Sequence, residues 1–133
     1  MSIFVGTWVA NIEKSRRHAN HLFQGATLGF EVSGDVVTLI HGGVNASGKQ
    51  ESGRTVLRMD GQDHQVSPLA PGVLVASQWR GSHVLETVAK KDGQVVGGGT
   101  YEVSADGQTL TATVSGIDAS GQRFEQVIVF DRG

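Results

Sequence analysis

Short polar clusters, each containing a glycine, divide this sequence into segments of similar length. Asp-Gly and Ser-Gly pairs tolerate the positive φ of tight hairpin turns, because glycine has no Cβ to clash. Glycine supplies 19 of the 133 residues, about twice its average share of roughly 7%. We therefore predict turns at Ser33-Gly34-Asp35, Ala46-Ser47-Gly48, Asp60-Gly61-Gln62, Arg80-Gly81-Ser82, Asp92-Gly93-Gln94, Asp106-Gly107-Gln108 and Ala119-Ser120-Gly121.

The segments between these turns have the alternation of β-strands. They are rich in Val and Thr, which favour a pleated, half-buried surface. From Thr109 to Ser115, for example, Leu110, Ala112 and Val114 alternate with hydroxyl side chains, so that one face can be buried. We predict about ten strands from this pattern, near residues 4–11, 25–33, 36–45, 50–59, 63–67, 73–80, 83–90, 94–103, 108–116 and 122–131.

So many short antiparallel strands predict a closed sheet, because unpaired strand edges are costly. We expect an all-β fold, a single closed up-and-down antiparallel β-barrel of about 8–10 strands. A chain of this length supports one hydrophobic core, so residues 1–133 are expected to form one domain. At most one short helix is predicted, near residues 12–23, where Asn11 could cap the segment and Gly25 could end it.

The inward faces of these strands provide the candidate binding site. A barrel of this size either fills its interior with side chains or encloses one small ligand. Aromatic residues make up only 6% of the chain, so we expect an open cavity. From the alternation, the predicted ligand-binding residues are Phe30, Leu39, His41, Leu57, Met59, Ser77, Trp79, His83, Leu85, Tyr101 and Gln126.

Two glycine clusters fall inside predicted strands instead of at turns. They are Gly42-Gly43 and Gly97-Gly98-Gly99. Glycine within a strand marks a bulge, a sharp bend or a close backbone approach. We expect the strands to bulge or bend at these points, or to leave space inside the barrel.

Catalytic and metal chemistry have few candidates. His41, His83 and Tyr101 could act as acids or bases if they share one cavity. His18 and His21 are spaced to share a metal on a helix, but no third ligand lies near them, so we expect no metal or cofactor. The absence of cysteine removes thiolate ligands and cysteine nucleophiles, and no hydrolase motif is present.

The charge balance limits the partners. A net charge of −2 gives no basic surface for nucleic acid, and no apolar stretch is long enough for a membrane span. Without a signal-peptide pattern the expected location is the cytoplasm, or a secreted or periplasmic one if a leader has been removed. Outward Val84, Val88, Val127 and Val129 could form an apolar patch for a homodimer.

Several motifs resemble the calycin superfamily of lipocalins and fatty-acid-binding proteins. The first strand opens with Gly6-Thr7-Trp8, similar to the Gly-x-Trp signature of that superfamily, and Asn11 and Lys14-Ser15 follow it. Together with the stretches at 103–111, 116–119 and 124–131, the pattern is similar to small lipocalin-like bacterial proteins. The resemblance implies a closed barrel around an apolar cavity, with Trp8 packed structurally across one barrel end.

Length and strand number look closer to the fatty-acid-binding branch than to lipocalins with their long C-terminal helix. However, the Arg-x-Tyr ending with which fatty-acid-binding proteins hold a carboxylate is missing, since the last strand reads Gln126-Val127-Ile128-Val129-Phe130.

Our leading hypothesis is therefore a non-enzymatic carrier or sequestering protein for a small hydrophobic or aromatic ligand. The alternative is a cofactor-independent isomerase, cyclase or hydratase that uses a barrel His or Tyr as acid or base. A third reading is a structural or partner-binding barrel with a packed interior.

Overall fold

The computed structural model describes residues 3–16, 23–45, 47–65, 72–117 and 121–133. This part of the chain forms one antiparallel sheet in the order β4-β3-β2-β1-β9-β8-β7-β6-β5. The sheet curls into a nearly closed barrel, which confirms the predicted all-β fold. The strands are β1 (Gly6–Arg16), β2 (Phe23–Ser33), β3 (Val36–Asn45), β4 (Gln50–Arg58), β5 (Val73–Trp79), β6 (Val84–Lys91), β7 (Gln94–Val103), β8 (Thr109–Ile117) and β9 (Arg123–Arg132).

The glycine-containing turns join the strands as expected. The glycine of each predicted turn has a φ between +60° and +88°, a conformation that residues with a Cβ rarely adopt. The positions are Gly34, Gly48, Gly61, Gly81, Gly93, Gly107 and Gly121.

The barrel has one seam, between β4 and β5, where the described strands form no hydrogen-bonded ladder. The chain after β4 covers part of the free edge of β5. His64 and Val75 exchange backbone hydrogen bonds of 3.0 and 2.8 Å, and the Gly61 N–H donates to the Ser77 carbonyl at 2.9 Å. The strand predicted at 63–67 is therefore a single bridge at His64 in its described part, and residues 66 and 67 lie outside that part.

The described ends of the predicted helix at 12–23 are strand. Residues 12–16 belong to β1 and Phe23 begins β2; residues 17–22, including His18 and His21, lie outside the described residues. Asn11 does accept a hydrogen bond from the Lys14 N–H at 3.2 Å, as a helix cap would. However, pairing with β9 resumes at Arg16 after a register shift, because this edge of β1 is needed to close the barrel. The described residues include no helix that is long and apolar enough to cross a membrane.

The glycines inside strands accompany bulges, as predicted. The β6–β7 register shifts beside Gly97, and the β2–β3 register shifts near Gly43. A Cβ on Gly98 would lie 2.5 Å from the Thr87 carbonyl oxygen, and a Cβ on Gly43 would lie 2.5 Å from the Gly25 carbonyl oxygen. At both places neighbouring backbones approach too closely for any larger residue.

Side chains fill one end of the barrel. Phe4 and Trp8 are fully buried, and the indole Nε1–H of Trp8 donates to the Phe4 carbonyl at 3.1 Å. Phe4 also packs against Phe30 and Trp79, each with 5.3 Å between ring centres. Trp8 is thus structural, as the resemblance implied, and the open space of the barrel lies elsewhere.

Candidate ligand-binding cavity

A cavity of about 340 Å³ lies inside the barrel, between the strands on either side of the seam. Alternation along each strand directs the lining side chains inward. One wall comes from β2, β3 and β4, and the facing wall from β5, β6 and β7. The lining residues are Leu28, Leu39, His41, Thr55, Leu57, Val75, Thr87 and Tyr101.

Half of the eight lining residues are aliphatic, and the others add the Tyr101 ring and the threonine methyls together with three hydroxyls and one imidazole. The lining contains no Lys, Arg, Asp or Glu among the residues that the structure describes. This composition, mainly apolar with a few polar groups, is typical of pockets that bind small molecules.

Tyr101 is the largest polar side chain in the lining. Its ring packs edge-on against Phe30, with 6.2 Å between the ring centres. Burial raises the pKa of the Tyr101 phenol above its usual value of 10.0, because an apolar setting disfavours the phenolate. Tyr101 therefore keeps its proton at neutral pH, and its hydroxyl can donate a hydrogen bond.

His41 stands on the opposite wall. It is exposed, and its imidazole lies over the backbone of Gly53, its cross-strand partner on β4. A Cβ on Gly53 would lie 2.5 Å from His41 Cε1, so the glycine provides the room that this ring occupies. His41 therefore borders the cavity where it opens to solvent.

Four of the predicted ligand-binding residues line this cavity: Leu39, His41, Leu57 and Tyr101. Phe30, Ser77 and Leu85 are buried, while Met59 and Trp79 pack against the core. Gln126 is half-buried on the inward-facing side of β9 that also carries Ile128 and Phe130.

His83 lies apart from this group. Its Nδ1 is 3.2 Å from the Val103 carbonyl oxygen, and the Val103 N–H donates to the His83 carbonyl at 2.9 Å. Two of the three acid–base candidates, His41 and Tyr101, therefore share the cavity. The hydrogen bonds of His83 instead hold the start of β6 to the end of β7.

The predicted ligand-binding set lacks four of the lining residues: Leu28, Thr55, Val75 and Thr87. The alternation contained the signal, since Thr55 has the parity of Leu57, and Thr87 has the parity of Leu85. Threonine is hard to assign from parity alone, because it is equally common on outward faces of strands. The partner strands decide which small residues border an open space.

No protein-family profile matches the sequence, and no curated protein matches it. Solved structures with the same fold do exist. A Schistosoma mansoni fatty acid binding protein in complex with arachidonic acid has a TM-score of 0.64 at 17% identity, over 100% of this chain and 98% of that one. Zebrafish ileal bile acid-binding protein complexed with cholic acid has a TM-score of 0.59 at 12% identity, over 99% and 100% of the two chains.

The siderocalin Ex-FABP is also similar, with a TM-score of 0.50 at 9% identity over 99% of this chain and 71% of that one. At these identities the likeness shows the fold. The antiparallel β-barrel fold that the Gly-x-Trp resemblance implied is confirmed.

Proposed function

We propose that this calycin-type barrel binds one small hydrophobic or aromatic molecule in its cavity and carries or sequesters it. The observation that carries the proposal is the cavity of about 340 Å³, lined by Leu28, Leu39, Leu57 and Val75 with isolated polar groups. Its volume falls in the range of about 300–1,000 Å³ that is usual for ligand pockets. Burying a ligand against these aliphatic side chains supplies the binding free energy.

The ligands of two similar structures support this choice. Arachidonic acid and cholic acid, both largely apolar molecules, are bound by proteins of the same fold. The volume of the cavity in the present chain limits the size of the ligand. At roughly 30 Å³ for the volume of one water molecule, it accommodates about ten to fifteen heavy atoms.

The experiment is a titration with 1-aminoanthracene, an uncharged aromatic probe whose fluorescence increases in apolar surroundings. Thr55 and Val56 are adjacent on β4, with Thr55 in the cavity lining and Val56 on the exposed outer face. Thr55→Trp fills the cavity and should weaken binding by at least about tenfold, whereas Val56→Trp should change it by less than about twofold. Absence of saturable binding, or an equal effect of the two substitutions, would refute the proposal.

A cofactor-independent isomerase, cyclase or hydratase is the second candidate. One observation favours it: His41 and Tyr101 line the same cavity. Proton transfer requires both groups to reach one bound molecule. Chemical conversion of a molecule that binds in the cavity, abolished by His41→Gln, would establish the enzymatic function. Recovery of the molecule unchanged would argue against catalysis and support binding alone.

A cytoplasmic location and a homodimer are also part of this proposal. Val84 and Val88 on β6, and Val127 and Val129 on β9, are each half-buried in the single chain, which leaves apolar area for a partner copy. Cell fractionation tests the location. Sedimentation of the wild type beside Val88→Lys tests the dimer, which the substitution should weaken.

A further inference from the structure

Three hydroxyl side chains occupy neighbouring inward positions on β5, β6 and β7. Ser77 pairs with Thr87, and Thr87 pairs with Gly99, two residues before Tyr101. Ser77 is 1% exposed, and its Oγ has no hydrogen-bond partner in the described part of the chain. A buried hydroxyl without a partner is costly, so this wall of the barrel contains unused hydrogen-bonding capacity.

Gly99 brings two of these hydroxyls together. A Cβ on Gly99 would lie 3.4 Å from the Tyr101 hydroxyl and 3.5 Å from Thr87 Oγ1. Because Gly99 has no Cβ, the Tyr101 ring can lean back over it along β7, and the hydroxyls of Tyr101 and Thr87 border the same space above Gly99. No described residue forms a hydrogen bond with the Tyr101 hydroxyl, which leaves its O–H free to donate to a ligand.

Thr87 provides the complementary group. Its Oγ1–H donates to the Gly99 carbonyl at 3.4 Å, so the lone pairs of this hydroxyl remain available. A ligand oxygen near Tyr101 can therefore accept from the phenol, and a ligand hydroxyl can also donate to Thr87.

The charge of the lining residues determines whether the cavity can bury a charged or a neutral oxygen of a ligand. Arg and Lys are absent from the described lining residues, and the imidazole of His41 lies on the opposite wall, at the exposed border. A buried carboxylate without a cationic partner is strongly disfavoured. A neutral oxygen needs only the hydrogen bonds that Tyr101 and Thr87 offer.

We infer that the cavity selects an uncharged ligand with an apolar body and one carbonyl or hydroxyl group, which binds at Tyr101 and Thr87, in preference to a carboxylate. This inference rests on the proposed function and names its ligand class. It separates this chain from a barrel that holds the carboxylate of a fatty acid.

The test uses three naphthalenes of the same shape: 2-acetylnaphthalene, 2-naphthoate and 2-isopropylnaphthalene. They differ only in whether the branch is a ketone, a carboxylate or a hydrocarbon. By calorimetry at about pH 8, where the carboxylate is ionised, the ketone should bind at least about tenfold more tightly than naphthoate and about threefold more tightly than the hydrocarbon.

Tyr101→Phe removes the donor and keeps the ring. It should weaken binding of the ketone by about five- to tenfold and leave the hydrocarbon within about twofold. Thr100→Val is the matched control, because Thr100 is the adjacent, exposed residue on the outward face of β7, and it should change neither affinity. Thermal melting of each variant establishes that it is folded.

Equal or tighter binding of naphthoate, or an unchanged ketone affinity in Tyr101→Phe, would overturn the inference while leaving the proposed function intact. Failure of all three naphthalenes to bind would instead refute the proposed function, and the inference with it.

Discussion

The guanidinium of Arg132 lies 4.1 Å from the centre of the Trp8 ring. The same side chain donates to the backbone carbonyls of Ile3, Val5 and Gly107, at 2.6, 3.1 and 2.7 Å. One residue near the end of β9 thus joins the start of the chain to the β7–β8 turn. This contact closes the filled end of the barrel and leaves the cavity at the other end.

Replacing Arg132 should destabilise the barrel. Arg132→Ala removes a cation–π contact and charge-assisted hydrogen bonds, so the free energy of unfolding should fall by about 2–4 kcal/mol. Arg123→Ala, an exposed position at the start of the same strand, should change it by less than about 0.5 kcal/mol. Urea unfolding measures both, and equal losses would show that Arg132 does not close the barrel.

The glycines within strands should differ in their tolerance of a methyl group. Gly98→Ala sets a Cβ against the Thr87 carbonyl oxygen and should lower the free energy of unfolding by about 2–3 kcal/mol. Gly25 is also a strand glycine, but a Cβ there meets nothing within 4 Å, so Gly25→Ala should be tolerated. A Gly98→Ala protein as stable as the wild type would contradict the close approach of β6 and β7.

The unpartnered Ser77 hydroxyl predicts a stabilising substitution. Ser77→Ala removes a buried polar atom that has no partner among the described residues, so the free energy of unfolding should rise by about 1–2 kcal/mol. Ser52→Ala, at an exposed position on β4, should have almost no effect. A loss of stability in Ser77→Ala would mean that an ordered water satisfies the hydroxyl.

Tyr101 is the single tyrosine of the chain, so tyrosinate absorbance reports its ionisation alone. Its pKa is raised by burial, so the folded state binds the proton more tightly than the unfolded state does. The resulting stabilisation is present below about pH 10, the pKa of an unfolded tyrosine, and is lost as the pH rises through the folded pKa. An absorbance titration that gives the same pKa with and without urea would contradict the buried position.

The sequence predicted the architecture because turns and alternation are local properties. Gly34, Gly93 and Gly107 mark hairpins whatever the rest of the chain does, and the alternation around Leu110 and Ala112 correctly gives the inward face of β8. The described ends of the predicted helix, residues 12–16 and Phe23, are strand for the opposite reason, since pairing of β1 with β9 across the barrel overrides the local preference at Asn11.

The site was only partly predictable. Leu39, Leu57 and Tyr101 are large residues whose inward parity was sufficient to identify them. Whether a residue borders open space or packed side chains depends on contacts between distant strands. Trp79 illustrates this limit: its inward position is clear from parity, but its packing against Phe4 follows from how the chain start enters the barrel.

The most direct test of ligand binding in the cavity is a methyl NMR titration with 2-acetylnaphthalene. We predict saturable shifts of the cavity methyls of Leu28, Leu39, Leu57 and Val75, while the exposed methyls of Val9 and Val56 stay in place. No saturable shift at the cavity methyls, or larger shifts at Val9 and Val56, would contradict binding inside the barrel.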